Sequence, residues 1–148
     1  MLIRKAVEQD VGKLNAVAYM SKAYWGYSKE FLDKSNASIT VTKEYLEEYP
    51  TYILELNENI IAFYSFSFQP NRLEAMFIEP NYIGKGFGRL LWSDVMQKAI
   101  QFNWTEFVLD SDPNAEGFYI RMGAKRLGTI PSPVIPNRVL PVMQVKVE

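Results

Sequence analysis

The chain has 148 residues and is 48% apolar, which suffices for one domain, residues 1–148, with a buried core. It contains no cysteine and no histidine, which excludes thiol nucleophiles, Ser-His triads and imidazole metal ligands; carboxylates, tyrosine, lysine and water remain for proton transfer, and no metal is expected. The 16 basic and 17 acidic side chains give a formal charge of −1, so binding to bulk nucleic acid or to an anionic membrane is not expected.

Apolar spacing along the chain predicts a mixed α/β protein. The predicted strands are residues 2–6, 51–56, 60–68, 72–78, 104–110, 124–130 and 139–147. The predicted helices are residues 11–22, 29–33, 43–48 and 88–102, with a short helix after Pro113. The first five residues are not followed by an apolar run, which argues against a signal peptide or a membrane span and favours a cytoplasmic protein.

Residues 78–89 join an apolar strand to an apolar helix through a glycine-rich loop. The strand ends at Pro80, which cannot donate to a sheet ladder. Between strand and helix stand three glycines and two cations: Gly84, Lys85, Gly86, Gly88 and Arg89. Glycine allows close approach of the backbone to a ligand, and the free N–H groups that open a helix favour phosphate. The loop is therefore predicted to bind an anion.

Two other phosphate-binding motifs with glycine-rich loops match this segment poorly. A Walker A loop needs Ser or Thr after its Gly-Lys pair, but Gly86 follows Lys85. A dinucleotide fingerprint needs Gly-x-Gly-x-x-Gly, but Gly88 comes one residue early and no βαβ unit precedes it. A plain turn between strand and helix stays open as the alternative.

A second pattern follows the next predicted strand, residues 104–110. Asp112 precedes Pro113, and this pair predicts a helix start because proline suits the first helical position while its neighbour caps free N–H groups. Gly123 is placed to end the short helix about three turns later.

Together the two segments resemble the GNAT superfamily of acyl-CoA-dependent N-acetyltransferases, over roughly residues 73–128. The family signature Arg/Gln-x-x-Gly-x-Gly/Ala is similar to the stretch from Ile83 to Gly88, and an Asn and an Ala precede Phe-Tyr and Gly downstream. Ile83 stands where Arg or Gln is usual, which concerns the side-chain part of pyrophosphate binding and leaves the backbone part unchanged. The resemblance implies a single-domain α/β fold with a mixed, mostly antiparallel sheet flanked by helices, in which a splayed strand pair holds acyl-CoA.

The resemblance also implies where acetyl-CoA would be bound as cosubstrate. The strand before the loop would bind the pantetheine arm through Met76, Phe77 and Ile78. The loop would hold the pyrophosphate through Gly84, Lys85, Gly86, Phe87, Gly88 and Arg89. Asn114 would bond the pantetheine amide, with helix capping as its alternative role. Tyr119 would protonate the CoA thiolate, since a phenol has a pKa of about 10 and a thiol of about 8.5, with a core aromatic as the alternative.

A carboxylate or water is the expected general base. Glu74 is expected to share a strand face with Met76 and Ile78, because side chains alternate along a strand, and could relay a proton; a partner for Arg72 or a surface charge is the alternative. Competing carboxylates stand at the end of the neighbouring strand: Asp110 and Asp112.

The resemblance implies that the acceptor pocket is shaped by residues 21–27, where three aromatics, Tyr24, Trp25 and Tyr27, surround a glycine. Trp25 and Tyr27 would cage an ammonium or cover an apolar side chain, and a hydrophobic lid on the core is the equal alternative. Residues 130–141 contain four of the eight prolines and are expected to stay outside a central strand, either as a surface crossing or as a pocket wall. Arg138 is expected to be solvated, with a substrate carboxylate as the alternative partner.

The resulting expectation is an N-acetyltransferase that acetylates a primary amine of a small-molecule or amino-acid-like acceptor. The alternative is a catalytically silent acyl-CoA-binding sensor or interaction module. The final strand, residues 139–147, is expected to be exposed and is the candidate edge for pairing in a homodimer.

Overall fold

The computed structural model describes residues 1–38 and 40–148. Its strands are β1 (Leu2–Lys5), β2 (Thr51–Leu56), β3 (Asn59–Ser67), β4 (Arg72–Ile78), β5 (Glu106–Asp110), β6 (Lys125–Pro131) and β7 (Val139–Lys146). Its α-helices are α1 (Val11–Ala23), α2 (Lys29–Ser38), α3 (Lys43–Glu48), α4 (Phe87–Gln101) and α5 (Glu116–Arg121). The predicted elements are confirmed, and α2 extends beyond its predicted end at residue 33.

The strands form one seven-stranded sheet in the order β1-β2-β3-β4-β5-β7-β6. The pairings are antiparallel except that of β4 with β5, which is parallel. Helices cover both faces. This is the mixed, mostly antiparallel α/β fold that the sequence predicted.

The final strand corrects two predictions. β7 is paired on both sides, with β5 and with β6, so it is not an exposed edge for a homodimer; β6 occupies that edge. Pro141 lies inside β7, opposite Thr129, and its carbonyl accepts from the Ser111 N–H at 2.8 Å. Proline lacks only the donor, so the prediction that residues 130–141 stay outside a central strand is wrong for residues 139–141, which lie in β7, whereas residues 130 and 131 lie in the edge strand β6.

Two apolar clusters fill the two faces of the sheet. One includes Leu91, Trp92 and Val95 of α4 with the fully buried Tyr64 and Phe66. The other joins residues of α1, Leu14, Val17 and Ala18, to the opposite face of the sheet. Within the described part of the chain, no helix is both long and apolar enough to span a bilayer.

β4 and β5 diverge, and this opens the molecule at the middle of the sheet. Their parallel pairing in the described residues is at Arg72 and Val108, where the Val108 N–H donates to the Asn71 carbonyl at 3.1 Å. Beyond that point the two strands line opposite sides of a cleft. The splayed pair expected from the resemblance is therefore present.

β4 carries a bulge in its pairing with β3. Leu73 pairs with Phe66 and Ala75 with Ser65, so Glu74 is an extra residue between them. Leu73 belongs to the cluster under α4, whereas Ala75 belongs to the cluster under α1. Side chains therefore do not alternate strictly along β4.

Candidate active site

The cleft between β4 and β5 has a volume of about 1020 Å³, at the upper end of the range of small-molecule sites. Residues 72–78 of β4 form one wall, and Leu109 and Asp110 of β5 stand on the other side. The glycine loop closes one end. The C-terminal part of α1 and the segment between β6 and β7 close the other.

The glycine loop presents backbone rather than side chains to the cleft. Gly84 and Gly86 have φ of +80° and +88°, a left-handed conformation that costs other residues about 1–2 kcal/mol. Gly86 is the N-cap of α4, and the Leu90 N–H donates to its carbonyl at 3.2 Å. The N–H groups before Leu90 precede the first closed helical turn and are the groups for which the sequence predicts anion binding.

Gly88 is required by packing as well as by the loop. A Cβ at Gly88 would stand 2.9 Å from Cε1 of Phe118 and 3.5 Å from Cδ1 of Ile78. The absent side chain lets α4 approach α5 and β4 closely. This packing holds the first turn of α4 at the mouth of the cleft.

The remaining loop residues divide between cleft and surface. Ile83 and Arg89 line the cleft, whereas Lys85 is outside the lining. The Lys85 ammonium lies 5.9 Å from the centroid of the Tyr82 ring. The Phe87 ring packs edge-on against the same tyrosine at 5.7 Å. Lys85 and Phe87 are thus positioned to contribute their backbone N–H groups.

Tyr119 lies in α5 and faces the cleft between its two ends. It is 9% exposed and packs against Trp92 at a centroid distance of 5.7 Å. Burial, and then the charge of Asp112, raise the pKa of its phenol above the ordinary value. The phenol is therefore neutral at physiological pH and a weaker acid than an exposed tyrosine.

A hydrogen-bonded network occupies the opposite end of the cleft and is centred on Asp112. Its carboxylate accepts from the Tyr27 hydroxyl at 2.9 and 3.0 Å and from the Asn114 backbone N–H at 2.8 Å. The Asn114 side-chain amide and Arg138 each donate to the Tyr27 oxygen at 2.9 Å. Burial and the adjacent Asp112 raise the pKa of Tyr27. The side chain that caps this helix start is that of Asp112, while the Asn114 amide donates to Tyr27 and Asp112. A bond from Asn114 to pantetheine stays a prediction.

Arg138 joins this network from the segment before β7. It donates to Asp112 at 3.3 Å and lies 4.9 Å from the Phe31 ring centroid and 5.3 Å from that of Tyr27. Its side chain is 21% exposed. The expectation of a solvated arginine is therefore wrong, because two aromatic faces and a carboxylate hold the guanidinium inside the cleft.

The predicted aromatic cluster separates into members with different positions. Tyr27 stacks at a centroid distance of 4.0 Å on Phe31, which lines the cleft. Trp25 lines the cleft but is 37% exposed, and Tyr24 packs edge-on against it from the surface. Trp25 thus lines the cleft and Tyr27 belongs to the Asp112 network, whereas Tyr24 lies outside the lining. Contact of Trp25 and Tyr27 with an acceptor stays a prediction.

The candidate bases also differ in their surroundings. Glu74 lines the cleft and accepts a hydrogen bond from the Ser67 hydroxyl at 2.9 Å. Because it is the bulged residue, the prediction that it shares a face with Met76 and Ile78 does not hold. Asp110 pairs with Arg72 at 3.0 Å, so Arg72 is not the partner of Glu74.

Lys22 lines the cleft and was missed by the sequence analysis. Its ammonium lies 5.4 Å from the Phe77 ring centroid. Burial lowers the pKa of Lys22 to about 8; the charge of Asp112 opposes this shift and that of Arg138 adds to it. The sequence could have indicated that Lys22 lies on the inward face of α1, because it continues the four-residue spacing of the buried Leu14 and Ala18.

Comparisons with known proteins agree with this architecture. A structure of a GCN5-related N-acetyltransferase from Rhodopseudomonas palustris superposes with a TM-score of 0.86 at 17% identity, covering 98% of this chain and 94% of that one. The PaiA N-acetyltransferase of Thermoplasma acidophilum, solved with coenzyme A, gives 0.79 at 20% identity and 98% coverage of both chains. YncA of Salmonella typhimurium, a putative acetyltransferase solved with acetyl-CoA, gives 0.69 at 21% identity, covering 100% of this chain and 94% of that one.

At the level of sequence, no curated protein matches the chain. A family model described as an acetyltransferase (GNAT) domain does match, over residues 5–130. That span contains the splayed strands, the glycine loop and Tyr119. The chain therefore belongs to the GNAT family of acetyltransferases and is an acyltransferase.

Proposed function

We propose that the protein is an N-acetyltransferase that moves the acetyl group of acetyl-CoA to a primary amine of a small, amino-acid-like molecule. The observation that carries this proposal is the order of groups along one cleft: backbone N–H groups at one end, the Tyr119 phenol between, and the Asp112 network at the other. Similar structures solved with coenzyme A and with acetyl-CoA support the choice of cosubstrate.

The residues of the cleft suit the binding of a phosphorylated thioester. The N–H groups from Gly84 to Arg89 would hold the pyrophosphate, and the Arg89 side chain would add charge. The backbone of residues 76–78 lines the cleft beyond the single point where β4 pairs with β5. Its peptide groups are therefore available to the pantetheine amides. When bound, acetyl-CoA supplies the activated acyl group.

Acyl transfer then needs a neutral amine and a proton for the leaving thiolate. The amine nitrogen forms a bond to the thioester carbonyl carbon, the C–S bond breaks, and Tyr119 gives its proton to the sulfur. Accepting the amine proton would weaken an ion pair at Asp110 or at Asp112. Glu74 is held only by a neutral hydroxyl donor in the described contacts, and we assign it the role of base, acting through water.

A silent acyl-CoA-binding module is the second candidate, favoured by Ile83, which lines the cleft where the family usually has Arg or Gln. Thermal melting with and without acetyl-CoA, followed by free-thiol release against a panel of amines and amino acids, separates the two. Ligand at about 100 times its Kd should add about 2.7 kcal/mol, or roughly 5–11 °C in Tm for a chain of this size. Stabilisation with thiol release supports the enzyme, and stabilisation without release supports the module. No stabilisation contradicts both.

A further inference from the structure

Lys22 is a partly buried cation at the end of the cleft that holds the Asp112 network, which we call the acceptor end. Within the described residues it has no ion pair. Its ammonium contacts the face of Phe77 at 5.4 Å. In residues 1–38 and 40–148, no carboxylate oxygen lies within the 4.0 Å ion-pair distance of Lys22 Nζ. A cation removed from water without a partner is costly, and an anion brought beside it recovers part of that cost.

The nearby carboxylate is already engaged. Asp112 accepts from Tyr27, from the Asn114 backbone and from Arg138. The lowered pKa of Lys22, about 8, agrees with a cation that lacks a counter-ion. With that pKa, roughly nine-tenths of the side chain is still charged at pH 7.

The charges at this end of the cleft leave room for one more anion. Lys22 and Arg138 carry two positive charges and Asp112 carries one negative charge, so one positive charge is uncompensated. In the described contacts the polar partners of Arg138 are reached through Nη2. Its Nε and Nη1 donors are thus available for a second, planar acceptor. A singly charged carboxylate fits this set in charge and geometry.

We propose that Lys22 and Arg138 form a subsite for a carboxylate of the acceptor, so that the substrates are amino acids that carry the reacting amine and a free carboxylate in one molecule. This inference rests on the proposed acetyltransferase function and narrows its acceptor class. A dianionic phosphate is a poorer fit, because the subsite has one uncompensated charge. The charged or titratable groups beside the subsite are Asp112, Arg138 and Tyr27. Glu74 bonds Ser67, and its charge acts on Tyr45 and Tyr49 rather than on Lys22.

The test compares each of the twenty amino acids with its carboxamide, which keeps the amine and removes the charge. With the unaltered enzyme, kcat/KM for the accepted amino acids should exceed that for their amides about 10- to 100-fold, the range for a charge-assisted hydrogen bond, mainly through KM. Lys22→Met should reduce this preference to a few-fold and leave KM for acetyl-CoA unchanged. Lys22→Arg should retain part of it, and Lys13→Met, at an exposed position of α1, should retain all of it.

A second readout does not need turnover. The 13Cε resonance of Lys22, followed against pH in the complex with coenzyme A, should show its pKa rising when one of the twenty amino acids binds and unchanged with the corresponding amide. Equal rates on acid and amide, or a Lys22→Met enzyme that keeps the preference, would overturn the subsite while leaving acetyl transfer intact. A pKa rise without thiol release for any amine would keep the subsite and overturn the acetyltransferase. The acid–amide comparison on the unaltered enzyme decides the proposal even if the Lys22 variants fail to fold.

Discussion

Replacing Gly86 by alanine tests whether backbone conformation forms the anion-binding end of the cleft. Gly86 has φ of +88° and ψ of −4°, directly before α4. A Cβ there would meet no atom within 4 Å, so the cost is conformational and not steric. A left-handed L-residue costs about 1–2 kcal/mol, which for a chain of this length lowers Tm by roughly 2–8 °C. Relief of this strain would turn the N–H groups of the loop away from the cleft and weaken acetyl-CoA binding.

Gly12→Ala is the matched control, because it adds the same atom in open space but within α1 and without positive φ. It should raise stability by up to about 0.5–1 kcal/mol, since alanine is the better helix former. Calorimetric melting and titration with acetyl-CoA measure both effects in both variants. Opposite signs in Tm, with weaker binding for Gly86→Ala alone, are expected. If the Tm of Gly86→Ala equals or exceeds that of the unaltered protein and acetyl-CoA binds equally well, the backbone conformation of Gly86 does not form the anion-binding end.

Two further substitutions test the chemistry and the stability of the fold. Tyr119→Phe should lower kcat about 10²- to 10⁴-fold with acetyl-CoA binding retained, because a positioned acid contributes that much to the rate. Tyr24→Phe, at a surface position, should leave kcat unchanged. Unaltered turnover in Tyr119→Phe would contradict the assignment of Tyr119 as the acid. Asp10, 7% exposed, accepts two hydrogen bonds from Arg4 that lower its pKa below 3.8, so its stabilisation is present above pH 3.8 and lost as pH falls through the lower folded value. Asp10→Asn should therefore cost about 1–3 kcal/mol in urea unfolding at pH 7 and flatten the acid limb of the stability profile; an unchanged acid limb would count against this ion pair.

The parts of the site that follow from local sequence were predictable. A strand, a glycine loop and a helix are contiguous, so the conformation that places Gly84 and Gly86 before α4 is encoded within a dozen residues. The resemblance to a family then supplied Tyr119 and the strand backbone of residues 76–78. The splayed sheet, which was expected only from that resemblance, is present.

The acceptor end was less predictable because its residues come together only in the folded chain. Tyr27 meets Asp112 across 85 positions of sequence and Arg138 across 111. No local pattern reports such contacts, and the burial of Arg138 depends on the rings of Tyr27 and Phe31 from another segment. The sequence indicates that Lys22 lies on the apolar stripe of α1, but only the folded structure shows that this stripe brings Lys22 to the cleft.

Topology accounts for the other differences. Strict alternation failed at Glu74 because a bulge inserts it between two paired residues. The last strand was expected at an edge, but it inserts between β5 and β6. Register and strand order are set by packing over the whole sheet, which the composition of one strand does not reveal.

We propose that the cleft between β4 and β5 binds acetyl-CoA through the loop that opens α4. Titration of coenzyme A into 15N-labelled protein, followed by amide chemical shifts, tests it most directly. Binding through this loop should give the largest shifts at the N–H groups of Gly84, Gly86 and Gly88, with smaller ones along residues 76–78. Shifts confined to other surfaces, or none at coenzyme A concentrations in the millimolar range, would contradict it.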